Sequence, residues 1–246
     1  MREELIKIYQ DTKQVCSSIP VPKSEKFSWD TDEISTNTAK KAGNIIVEPM
    51  DTISALVKYS KRGKTAILNM ASAKRKGGGV ENGAMAQEEC LFRCSNLFTI
   101  SDDFYPLGED QYIYTYDATF VKDVNYGIME PVTADVITIP AINLNGSHID
   151  FSKPGFNNDK EQYECIMLDK MFWMINSSII SGCDNIILGA WGCGVFKNDP
   201  SVVSRLFKEV LEGDLQESFN NVVFAIINDR NSVGNNYEIF KNTLEN

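Results

Sequence analysis

Short apolar, β-branched runs alternate with segments of helical periodicity along most of this chain, and this alternation narrows the possible folds most. Ile45–Val47, Thr65–Asn69, Val136–Ile139, Asn185–Leu188 and Val222–Ile227 read as buried strands, and Tyr112–Val121 is β-rich. Helical patterns cover 51–60, about 84–98, 160–181, 200–212 and 234–244. An opening helix over 2–18 carries Leu5, Ile8, Tyr9, Thr12 and Val15 at helical spacing, until Pro20 and Pro22 break it. The polar stretch from there to residue 42 is expected to hold a second short helix. Strands separated by helices predict an α/β fold: a mixed, largely parallel sheet flanked by helices. No repeat or low-complexity tract divides the chain, so one domain with an N-terminal helical extension is expected.

Ligands of such sheets bind beyond the carboxyl ends of strands, on loops that lead into helices. Two loops have the composition for it. The first runs from Asn69 through Lys74-Arg75-Lys76 to Gly77-Gly78-Gly79 and enters a helix at Gln87-Glu88-Glu89. Three glycines let the backbone approach a ligand and present N–H groups together, and the helix start adds its positive dipole end, a natural seat for phosphate. A plainer reading also fits: the glycines make a tight turn, and Glu88 and Glu89 are favourable first-turn charges. The second loop, Gly189-Ala-Trp-Gly192-Cys193-Gly194-Val195-Phe196, follows a strand and precedes a helix that accepts Pro200 in its first turn. Gly192 and Gly194 free the backbone to wrap an anion, whereas Trp191 beside the turn reads as core.

Triple glycine, seven residues, then Gln-Glu-Glu resembles the signature of poly(ADP-ribose) glycohydrolases of the smaller microbial type, built on a macrodomain. Asn69 falls in register with the first asparagine of the macrodomain Asn-Ala-Ala-Asn segment, and Ser72 replaces the second. The second loop is similar to the family's Gly-Ala-Trp-Gly-Cys-Gly-Val-Phe stretch. With Asp135–Asn143 and the carboxyl-terminal strand and helix, the similarity spans roughly residues 35–244. It implies a macrodomain-like glycohydrolase domain over 35–246, with residues 1–34 as the helical extension.

The resemblance also implies roles. Glu89 would protonate the leaving 2′-oxygen and later deprotonate the incoming water, in a mechanism without a protein nucleophile. Glu88 would hold the hydroxyls of the scissile ribose, and Gln87 would fix the orientation of both. Adjacent helix residues point about 100° apart, so both carboxylates are expected to reach one substrate without forming a shared-proton dyad. Gly77, Gly78 and Gly79, with Gly192, Cys193, Gly194 and Val195, would line the substrate and its diphosphate, and Phe196 would pack on the terminal ribose. Attack from the chain end follows from the family's second loop. Glu81 is a carboxylate where the family usually carries an apolar or neutral residue.

Composition removes other chemistries. The chain has 24 basic and 34 acidic residues, a formal charge of −10, which argues against a duplex-DNA partner. Its single histidine, His148, sits in a polar turn and reads as a solvated loop residue, so neither a Cys-His triad nor a metal site is expected. Cys193 has a nucleophile-like setting but no base. No apolar run spans a bilayer and the start lacks a signal-peptide core, so a cytoplasmic protein with six reduced cysteines is expected. Gly63-Lys64-Thr65 imitates a P-loop end, but Lys58 stands where the required glycine belongs. The sequons at Asn145 and Asn176 carry no weight without secretion.

The expected enzyme is therefore a glycosidase without metal or redox cofactor. It takes poly(ADP-ribose) or ADP-ribosylated macromolecules and releases ADP-ribose. Two rivals stand: a binding module that reads ADP-ribose without cleaving it, and a hydrolase of another ADP-ribosyl linkage, to protein or nucleic acid.

Overall fold

The computed structural model describes residues 1–29, 41, 43–145, 160–228, 232 and 235–245. In chain order the elements are α1 (Arg2–Val15), β1 (Ser24–Ser28), β2 (Asn44–Glu48), α2 (Thr52–Tyr59), β3 (Thr65–Met70), α3 (Gln87–Cys94), β4 (Gln111–Lys122), β5 (Ile128–Ile139), α4 (Lys160–Ile180), β6 (Asn185–Leu188), α5 (Pro200–Leu211), β7 (Asn221–Ala225) and α6 (Asn236–Leu244). This is the expected mixed α/β pattern, with a helix at the amino end. The polar stretch expected to hold a short helix opens on β1. The rest of that stretch, like His148, lies outside the described residues.

Two compact units are defined, Met1–Glu33 with Asp51–Pro140, and Ile34–Met50 with Ala141–Asn246. In the first, β3 and β5 run parallel with Asn69 opposite Thr138. β4 lies antiparallel to β5, and β1 lies antiparallel to β4. The β4–β5 hairpin is much longer than the sequence pattern suggested. Residues Ile128–Thr133 are mostly exposed or half-buried, and so lack the apolar run that marks a buried strand. Pro131 also argues against a strand, but it falls where the pairing register shifts between Phe120 and Lys122, a position that does not need its missing N–H.

α1 buries Leu5, Tyr9 and Thr12, one stripe of its surface. Thr12 donates its hydroxyl proton to the Arg93 carbonyl, and Arg93 Nε donates to the Leu5 carbonyl at 3.3 Å. Helix α1 is thus fastened to α3.

In the second unit β6, β7 and β2 are all parallel, with Leu188 and Val47 both opposite Phe224. Its core is an aromatic chain: Trp191 meets Phe207, Phe207 meets Phe224 at 5.1 Å and Phe224 meets Phe240. Trp191 is fully buried, as its apolar bulk predicts.

Candidate active site

The first glycine-rich loop turns sharply between β3 and α3. Gly77 and Gly78 adopt φ of +67° and +57°, backbone that residues with a Cβ rarely take. Val80–Asn82 forms a 3₁₀ turn, so α3 starts at Gln87, three residues later than its apolar periodicity suggested. Gln87 is therefore the first helical residue, and it locks the helix start in place. Its Oε1 accepts the Met70 N–H at 2.9 Å, while its Nε2 donates to the Leu68 carbonyl at 2.6 Å and to Thr52 Oγ1 at 3.2 Å. One side chain thus joins the ends of β3, α2 and α3.

The next two residues put carboxylates where carboxylates seldom sit: Glu88 is 3% exposed and Glu89 7% exposed. Glu88 Oε2 accepts the Ser72 N–H at 2.8 Å, and its Oε1 lies 3.5 Å from Asn69 Nδ2. Asn69 also donates to Thr138 Oγ1 at 3.2 Å. Glu89 Oε1 accepts the Gly79 N–H at 2.9 Å, while its Oε2 is buried and has no hydrogen-bond partner among the described residues.

The glycine N–H groups have partners within the protein. Gly79 donates to Glu89 at 2.9 Å, Gly78 donates to the Arg75 carbonyl at 3.2 Å, and the Gly77 N–H favours the charged form of Glu88. These N–H groups therefore hold the protein's own carboxylates and close the turn instead of facing outward together. Gly78 is the closest point of approach. A Cβ there would lie 2.6 Å from Glu89 Oε1 and 2.9 Å from Glu88 Oε2, so both carboxylates converge on one glycine.

Burial and this convergence act on the charge of Glu88. Burial first of all, with the Glu89 charge adding to it, pushes Glu88 from 4.5 up to about 8, against the opposing Ser72, Asn69 and Gly77 hydrogen bonds. At neutral pH Glu88 therefore keeps its proton.

The second loop leaves β6. Gly192 takes φ of +76°, and a Cβ there would meet Asn198 Nδ2 at 2.6 Å and Ala141 at 2.8 Å. Asn198 pins the turn: its Nδ2 donates to the carbonyls of Ile142 and Gly192, and its Oδ1 accepts the Tyr163 hydroxyl at 2.6 Å. Among the described residues no acceptor takes up the N–H of Gly194, Val195 or Phe196. Val195 is exposed and Phe196 half-buried. Cys193 is fully buried, and burial together with the Asp199 charge pushes its thiol well above the ordinary range, which is no setting for a nucleophile. Asp199 also caps α5 by accepting the Ser201 N–H at 2.8 Å. Among the described residues no group of three or more His, Cys, Asp and Glu gathers as metal ligands.

A family model described as microbial-type PARG, catalytic domain, matches residues 3–126, half of the chain. The chain belongs to the microbial-type poly(ADP-ribose) glycohydrolase family. It is a glycosidase of that family. Solved structures agree on the fold. The poly(ADP-ribose) glycohydrolase of Thermomonospora curvata is 22% identical with a TM-score of 0.82, over 98% of this chain and 100% of that one. The same enzyme bound to the inhibitor ADP-HPD gives 22% and 0.80, over 98% and 99%. The Deinococcus radiodurans glycohydrolase in complex with ADP-ribose gives 25% and 0.78, over 98% and 96%. No curated protein is similar to the chain by sequence.

Two supports of the glycohydrolase's carboxylates had no role assigned from sequence. Asn69 was visible only as a register match. Thr138 carries no motif, and it meets Asn69 only because β3 and β5 pair in that register.

Proposed function

We propose that this glycohydrolase cleaves the ribose–ribose O-glycosidic bonds of poly(ADP-ribose) and releases ADP-ribose, with Glu89 as general acid and base. The observation that carries the reading is Glu89 Oε2, a buried carboxylate oxygen with no partner of its own beside a second buried carboxylate. A buried unpaired carboxylate oxygen is costly, and proton transfer to and from a substrate is a use for one. Glu88, pushed up to about 8, enters the reaction protonated at neutral pH. That proton passes to the leaving 2′-oxygen through Glu89, and the same carboxylate then deprotonates the water that attacks the oxocarbenium-like centre. Glu88, held by Ser72 and Asn69, binds ribose hydroxyls.

The glycines 77–79 serve this site by carrying and spacing the carboxylates. In the second loop the N–H groups of Gly194, Val195 and Phe196 supply diphosphate binding, with Gly192 and Cys193 shaping the turn and Phe196 packing on the terminal ribose. Backbone donors would let an acidic protein hold an anionic ligand with little need of arginine. Residues 1–34 act as an extension whose helix braces α3, within a macrodomain-like chain. Cytoplasmic action is part of the reading and is supported by six free cysteines. Among the described residues no helix is long and apolar enough to cross a membrane.

The test is incubation with poly(ADP-ribose), mono-ADP-ribosylated protein and ADP-ribosylated DNA, scoring which releases ADP-ribose. Release from the polymer, lost in Glu89→Gln, is expected. Binding of ADP-ribose without release from any substrate would identify a binding module instead, and release only from the protein or DNA adduct would identify a different linkage.

A further inference from the structure

The chain segment tied to the supports of Glu88 carries a tyrosine that the reaction as described does not use. Tyr105 Oη is buried and has no hydrogen-bond partner among the described residues. Buried hydroxyls in folded proteins are overwhelmingly paired, and one left without a partner calls for an account. The segment that carries it is fastened at two places to the segment that carries the supports of Glu88. The Leu107 N–H donates to the Ala73 carbonyl at 2.8 Å, one residue past Ser72, whose own N–H holds Glu88. Lys76 Nζ donates to the Ile100 carbonyl at 2.7 Å and pairs with Asp102 at 3.0 Å. Burial first, then the Glu88 charge, pushes the Tyr105 phenol well above its ordinary range, so the hydroxyl keeps its proton and lies within electrostatic reach of that carboxylate.

We infer that the Tyr105 hydroxyl is a further substrate contact, donating a hydrogen bond to a hydroxyl oxygen of the ribose that Glu88 binds. The inference rests on the glycohydrolase reading above and names one more residue of that site. Donor and acceptor chemistry selects the partner. A sugar hydroxyl donates to Glu88 and accepts from Tyr105 in one geometry, because it carries both a proton and lone pairs. A phosphate oxygen would bring negative charge beside Glu89, whose charge already acts on Glu88, and it has no proton to donate.

Tyr105→Phe removes this oxygen and nothing else. The expected result is ADP-ribose binding weakened by about three- to tenfold and KM raised in step, as loss of one neutral hydrogen bond predicts. The melting temperature should stay level or rise, since the variant no longer buries an unpaired hydroxyl. Binding of ADP, which lacks the terminal ribose, should not change. Unchanged ADP-ribose affinity would overturn the inference. An equal loss for ADP and ADP-ribose would overturn it too, as would a loss of affinity that tracks a fall in melting temperature. A wild-type protein that releases no ADP-ribose from the polymer would refute the glycohydrolase reading. Active wild-type enzyme matched by Tyr105→Phe in both affinities would refute this contact alone.

Discussion

Glu88 and Glu89 are neighbours in sequence, yet the structure gives them different surroundings. Glu88 accepts from Ser72 and Asn69, whereas Glu89 keeps one buried oxygen free. Glu89→Gln preserves size but cannot carry the proton, so turnover should fall by about 10²–10⁴-fold while ADP-ribose affinity changes little. Glu88→Gln should weaken both, because its proposed hold on ribose hydroxyls acts in ground and transition state alike. Single-turnover rates with calorimetric affinities separate the two outcomes. Glu88 also sets a pH dependence of stability. Its pKa in the folded protein, about 8, lies above the ordinary 4.5, so the folded state binds the proton more tightly. That contribution is full below about pH 4.5 and is lost as pH rises through about 8. Melting temperature should therefore decline across this window, and Glu88→Gln, neutral throughout, should flatten the decline. Gly78 supplies a third test. The resemblance put Gly78 along the substrate and its diphosphate, and in the structure a side chain here would strike Glu89 and Glu88 at 2.6 and 2.9 Å. Gly78→Ala should thus lower turnover by about a hundredfold or more, with a smaller loss in ADP-ribose affinity.

At the scale of elements, α3 is only eight residues long and carries both carboxylates in its first turn. A helix this short holds its place through its anchors more than its propensity. Gln87 ties its start to β3 and α2, and α1 holds its flank through Thr12, Leu5 and Arg93. Leu5 and Tyr9 are 6% and 3% exposed, so Leu5→Ala should cost about 2–5 kcal/mol of stability. It should also lower turnover at temperatures well below the new melting point, because a looser α1 lets α3 shift. Thermal unfolding and activity at a fixed low temperature check both parts. The resemblance reached only to about residue 35 and found no motif in α1, whose contribution is packing and two backbone contacts. Packing partners of this kind leave no signature beyond amphipathic spacing. β1 and the first half of β5 were missed for a related reason: their residues are half-buried or exposed, and pairing with a neighbouring strand holds them.

For the molecule as a whole, the formal charge of −10 opposes a polyanionic substrate. The proposed binding through backbone N–H groups releases few counterions, and added salt screens the repulsion. KM for poly(ADP-ribose) should stay level or fall as ionic strength rises from about 0.01 M to about 0.15 M. A nucleic-acid binder that uses lysine and arginine would show the opposite slope. The sequence by itself determined the α/β class, both glycine-rich loops and the Gln-Glu-Glu helix start, because periodicity, turn chemistry and motif spacing are local properties of the chain. Tertiary structure alone decided what those residues face. The partners of Glu88 and Glu89 lie 10 to 19 positions away along the chain, at Asn69, Ser72 and Gly79. Thr138 is 69 positions from the Asn69 it supports, reached through β3–β5 pairing. Strand register and loop closure set such distances, and with them the burial that raises the pKa of Glu88 and leaves Glu89 Oε2 unpaired.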